Sequence, residues 1–307
     1  MTASRWAKLD RAKSQIEALD HQIGDFATDQ EPIGVREKFE ADQQAWVGTV
    51  VTVPECPSDW GLMIGEIVHN LRGALDHLVW DLAILELGAE PIDANGRPLR
   101  IQFPICEDKA RWKSSGFDRM IAPLNAVHRA LIEGRQPYNG WNGPRKHPLL
   151  VLEGVSNADK HRKLRPAVLA PQQLDVGSDF QGKNCRMVSG EGGIALIGSC
   201  LEPNTVLFRI PIEVTGPNPE MEVRLKLSIS IGLDDGMPIH DGVFDMESFV
   251  RETLAMFEAD LTTPSALATR ERIAATHRAA PGWLRMRWVD PPAGGDPPHG
   301  SEEGKTS

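Results

Sequence analysis

The 307-residue sequence predicts an α+β fold: a mainly helical first part around a long central helix with a β-hairpin, then an antiparallel β-sheet and a closing helix. Three observations carry this. Ile64, Ile67, Leu71, Leu75, Leu78, Leu82 and Leu85 fall within a stripe of roughly 80° when residues advance by 100°, so residues 58–87 read as one amphipathic helix. Between residues 164 and 231 the period shifts to two. Val223, Leu225, Leu227, Ile229 and Ile231 alternate with Glu222, Arg224, Lys226, Ser228 and Ser230, and Val206, Phe208, Ile210 and Ile212 recur in the same way, as half-buried antiparallel strands do. Met246, Phe249, Val250, Thr253, Phe257 and Leu261 then return to helical spacing and place a closing helix at 245–261.

The remaining elements follow in order. Trp6, Leu9, Ile16, Leu19, Ile23 and Phe26 give residues 4–26 an amphipathic helix, which Pro32 and Gly34 end. Residues 35–40 and 45–53, rich in Val, Thr and Trp, read as two strands joined around 41–44. Pro54 and Pro57 stop that hairpin, Ser58 or Asp59 caps the long helix, and Gly88 ends it. A Pro/Gly loop leads to a short strand at Ile101–Ile105, followed by short helices at 107–114 and 123–134. Residues 135–148 are turn-rich, and the basic turn Arg145, Lys146, His147 reads as a solvated loop. Leu149, Leu152 and Val155 mark a helix over 148–161. The tail beyond about residue 285 lacks the apolar residues that offset the entropy of ordering and is expected to be disordered. The chain divides into 1–163, a β-rich 164–265 packed as one unit with it, and 266–307 with a C-terminal helix and the tail.

A formal charge of −10 argues against a broad electrostatic grip on nucleic-acid phosphates, though not against a local basic site. Cys56, Cys106, Cys185 and Cys200 are too sparse for a disulfide scaffold or a zinc knuckle and read as reduced thiols; whether Cys185 and Cys200 pair across a hairpin stays open. The N-terminus is charged from its fifth residue, and no apolar run reaches the ~20 residues of a membrane span. A soluble cytoplasmic protein without membrane contact is expected. No phosphate-cradling glycine loop, zinc-protease helix or nucleophile elbow occurs, and histidines and carboxylates miss metal-ligand spacings, so neither cofactor nor metal is expected.

The polar insertion in the central helix, HNLRGALDH, is the first candidate site. With Leu71 at zero, Asn70 and His77 share a flank near −100° to −120°, while Arg72 and Asp76 lie near +100° and +140°, where an i,i+4 ion pair is natural. His69 points to the exposed side. Arg72 and His77 therefore straddle the apolar stripe, and bringing both to one substrate requires a second helix or subunit. The second candidate is Asn157, Asp159, Lys160, His161 and Arg162, closing the 148–161 helix. The three basic groups complement the helix dipole, or else form an anion-binding patch facing the central helix, with phosphate as guest.

Arg72-Gly-Ala-Leu-Asp-His77 resembles the Arg-x4-6-His signature of the HEPN superfamily, helical domains many of which are metal-independent ribonucleases. The resemblance covers about 30 residues. It implies RNA as substrate, a composite site assembled in a homodimer, Arg72 stabilising the phosphate and His77 acting as acid or base on the 2′-hydroxyl, with Asn70 orienting it. Two features depart from the family pattern: Gly73 stands where a polar residue is usual, and strands flank the helix. HNLRGALDH with DKHR also resembles a group of bacterial proteins without an assigned activity. The competing expectation is a non-enzymatic binding or regulatory protein whose polar motifs lock the helices to the sheet.

Overall fold

The computed structural model describes residues 4–29, 33–140, 146–161, 163–169, 175–176, 181–188, 200–222, 225–226, 230–233 and 239–279. Its fold is α+β. Helix α1 (Ser4–Asp29) packs along α2 (Asp59–Leu87), so that Leu9, Ile16 and Leu19 of the first meet the stripe of Ile64, Ile67, Leu71, Leu75, Leu78 and Leu82 in one buried core. The stripe is fully excluded from water, except that Leu85 is half-buried. Gly88 ends α2 in the left-handed conformation and donates its N–H to Ile84 O at 2.9 Å. Ser58 stands before the helix in a helical conformation, and its side chain makes no cap, contrary to the sequence expectation.

Between the two helices, β1 (Gly34–Glu40) and β2 (Ala45–Thr52) form the expected hairpin. Short helices α3 (Lys109–Ser114) and α4 (Ala126–Gly134) lead to α5 (Pro148–His161), which packs on α2. The expected strand at Ile101–Ile105 does not form. Among the described residues no strand pairs with it: side chains of α2 hold both backbone groups of Phe103, and the Gln102 N–H donates to Met120 O at 3.3 Å.

Strands β3 (Pro166–Leu169), β4 (Asp175–Val176), β5 (Gln181–Lys183), β6 (Cys185–Met187), β7 (Val206–Val214), β8 (Glu220–Glu222), β9 (Leu225–Lys226) and β10 (Ser230–Leu233) follow, all antiparallel where paired. The largest sheet runs β1-β2-β7-β6, so the N-terminal hairpin continues into the strands of the second half. Of the expected alternating run at 222–231, residues 223–224 and 227–229 lie outside the described residues, as do Arg145, Arg162 and the tail beyond 279. Helix α6 (His240–Met256) starts five residues before the expected position; Phe257, fully buried, separates it from α7 (Glu258–Leu261), and α8 (Pro264–Ala279) closes the described chain.

Two buried polar clusters join distant parts of the chain. Arg5, with no exposed surface, reaches Asp81 of α2 at 2.5 Å and Glu258 of α7 at 2.6 Å. Trp6 Nε1 donates to Glu258 at 2.8 Å, and Arg270 of α8 stands 2.7 Å from Asp81. Burial pushes the Glu258 carboxyl up, but the Arg5 and Trp6 hydrogen bonds and the two nearby guanidinium charges outweigh it and hold the group below the usual range. Buried His128 of α4 stands 3.2 Å from Glu86 of α2 and 3.1 Å from Asp260 of α7. Replacing Arg5 by alanine leaves Glu258 without its main cation while Asp81 retains Arg270. The expected loss is about 3 kcal/mol in urea unfolding, the low end for breaking a buried pair; a change under 1 kcal/mol would show the cluster to be inert.

His147 is not the solvated residue of a loop. It is half-buried beside Phe249, with ring centroids 4.7 Å apart, and its Nδ1 accepts the Leu149 N–H at 3.2 Å at the start of α5. Pro148 follows it at the first helical position, where its missing N–H costs nothing. Burial, reinforced by the Arg135 charge, pushes the imidazole down to about 4 from 6.5. A group depressed on folding adds stability that is intact above its ordinary value and is lost as pH falls toward the folded one. His147→Asn keeps an acceptor for the cap and removes the titration, so wild-type and variant stabilities should converge or cross as pH falls from about 6.5 to 4. Parallel stability curves over that window would contradict the assignment.

Candidate functional site

The site is set by the crossing of α2 and α5. A methyl group added at Gly61 would overlap the Leu164 carbonyl just beyond α5, and one added at Gly65, a turn later, would lie 2.6 Å from Asp159 Oδ1. Absence of a side chain at both positions lets the end of α5 approach the α2 backbone closely. Farther along α2 the helices leave a cleft of about 330 Å³. Arg72, Asp76 and His69 of α2 face Glu153, Asn157 and Lys160 of α5 across it, with Gln102 from the intervening loop.

The two sequence candidates thus meet, but only in part. Arg72, Asp76, Asn157 and Lys160 line one cleft. Asp159 and His161 are exposed on other faces of α5 and do not line it, and Arg162 lies outside the described residues. Asn70 and His77 are on the opposite flank of α2, as their helical angles require. Asn70 Nδ2 donates to Gln15 Oε1 of α1 at 3.0 Å, and Gln15 in turn donates to Glu66, a polar chain that fixes the register of α1 on α2. His77 is half-buried; burial and then the Lys8 charge lower its pKa from 6.5, against the opposing pull of Asp81 and Asp76.

Arg72 and Asp76 also have a structural task. Arg72 Nη2 donates to the Phe103 carbonyl at 2.6 Å, and Asp76 Oδ1 accepts the Phe103 N–H at 2.9 Å, while the two side chains stand 3.4 Å apart. Together they satisfy both backbone groups of a fully buried residue that no strand pairs. Only one nitrogen of the guanidinium is used in this clamp, and Arg72 is about one-fifth exposed. Its remaining N–H donors are available to a ligand.

Glu153 is the site residue that sequence reading missed. Burial raises its pKa although Arg72, Lys160 and Arg111 all pull it down. Yet no hydrogen bond or ion pair joins its side chain to any described residue, and the same holds for Lys160. The signal was available: Glu153, Asn157 and Lys160 recur at i, i+4 and i+7, one polar face of α5. Among the described residues no group of three or more His, Cys, Asp or Glu side chains could hold a metal ion. No disulfide joins Cys56, Cys106, Cys185 or Cys200; the Cys185 and Cys200 thiols turn to different carbonyls, Glu220 O at 3.3 Å and Leu233 O at 3.5 Å. None of the described helices is long and apolar enough to cross a membrane.

No protein-family model, curated protein or solved structure matches the chain.

Arg72→Ala should lower stability by about 1–3 kcal/mol, because the Phe103 carbonyl loses its donor in a buried setting. Denaturant titration checks this, and an unchanged midpoint would mean that Arg72 is not holding the 91–106 loop.

Proposed function

We propose that the chain is a non-enzymatic binding protein whose α2–α5 cleft takes up a small ligand bearing a phosphate or similar anion. The observation that carries this reading is the convergence of two cationic groups with unused donors, Arg72 and Lys160, in one cleft of a chain whose formal charge is −10. A guanidinium fixed by its backbone clamp is a preorganised donor, since little further entropy is lost when it binds. Lys160 supplies a point charge from the other wall. Four cysteines, none of them in a disulfide, accord with a reducing, cytoplasmic setting.

A second reading, metal-independent RNA cleavage through Arg72 and His77, has one observation in its favour: the lowered pKa of His77 keeps the imidazole in the neutral, proton-accepting form near neutral pH. Against it, His77 does not line the cleft that holds Arg72. Titration of inorganic phosphate, followed by calorimetry at low salt, distinguishes the two. Lys160→Ala should weaken binding by about tenfold or more, in line with loss of one charge-assisted hydrogen bond, whereas His77→Ala should leave it unchanged. Absence of phosphate binding would sink the proposal, and metal-free RNA cleavage that is abolished in His77→Ala would replace it with the enzymatic reading.

A further inference from the structure

Resting on the anion-binding reading, we infer that the ligand of the α2–α5 cleft carries a positive group beside its anion, an aminoalkyl phosphate being the simplest compound of this kind. The cleft is not uniformly cationic. Glu153, on the α5 wall with Lys160, presents a carboxyl that feels both Arg72 and Lys160 and yet bonds to neither. Three charged groups therefore share a cleft of about 330 Å³ without collapsing onto one another, which leaves room among them for a small molecule. An anion alone would satisfy the cations and stand against Glu153. A ligand with an ammonium a few atoms from its phosphate satisfies both.

Asp76 strengthens the acidic side. Its Oδ1 is committed to the Phe103 N–H and lies near Arg72, but no described residue is bonded to Oδ2, and the side chain is about one-third exposed. Two carboxyl groups on facing helices thus stand ready for one ammonium, and Asn157 and Gln102 at the lining add neutral hydrogen-bonding groups. A partly buried carboxylate left unpaired, as Glu153 is, is costly to the free protein, and a bound cation relieves that cost. This is the physical reason for a preference that a simple phosphate site would lack.

Affinities of the whole chain for phosphoethanolamine, ethyl phosphate and inorganic phosphate test the inference. Phosphoethanolamine should bind about tenfold or more tightly than ethyl phosphate, which has the same carbon chain without the ammonium. Glu153→Gln should erase most of that preference while leaving inorganic phosphate bound equally or more tightly. Equal affinity of the wild type for the two esters would overturn the inference and leave the anion-binding reading standing, and a preference undiminished in Glu153→Gln would overturn the role of Glu153. If none of the three compounds binds, both readings fall. The wild-type comparison alone decides the matter should the variant not fold.

Discussion

The fully buried Arg5 guanidinium is the interaction on which the helical layer depends. It lies between Asp81 and Glu258, residues separated in sequence by most of the chain, and so joins the first helix to the central helix and to the closing ones. Two carboxylates around one guanidinium, with Trp6 and Arg270 at the margins, offset the desolvation that a lone buried charge would suffer. Arg5 Nε nevertheless has no hydrogen-bond partner, so the arrangement is not a fully satisfied one. Its value lies in direction. Apolar stripes slide and rotate at small cost, whereas a forked cation with two fixed acceptors defines one rotation and one height for α1.

The same logic repeats along α2. Three polar side chains in its middle have definite neighbours: Asn70 reaches α1 through Gln15, and Arg72 with Asp76 holds Phe103. A helix surrounded on several flanks cannot leave amides and charges unpaired, so the polar insertion in its sequence is a record of what packs around it. The cleft opens where α5 diverges from the close approach at Gly61 and Gly65, so the arrangement that holds the loop also leaves part of Arg72 free.

Much of the fold is legible in the sequence because periodicity reports burial. The α2 stripe, the hairpin with its turn at 41–44 and the helix at 148–161 all follow from spacing and punctuation alone. Ile101–Ile105 misled because a short segment with Ile101, Phe103 and Ile105 in alternation looks the same whether a strand or two helical side chains pair its backbone. The closing helix starts at His240, ahead of the apolar spacing that begins at Met246, and is interrupted at Phe257. As for the site, helical angles correctly separated Arg72 from His77. They could not bring Arg72 to Lys160, because that depends on where α5 lands, and Glu153 drew no notice as a single carboxylate on an amphipathic helix.

The order of the main sheet has a consequence during synthesis. One side of β2 is paired at once by β1, its neighbour in the chain, but its other side waits for Val206–Val214, which is made much later. Until then the growing polypeptide carries an open edge containing Trp46, Val47 and Val50, the kind of surface that recruits stray strands. Early assembly of the helical layer does not cover that edge by hydrogen bonding. Closure of that edge waits on a pairing between strands far apart in the chain, and such long-range pairing is the slow, association-prone step of folding.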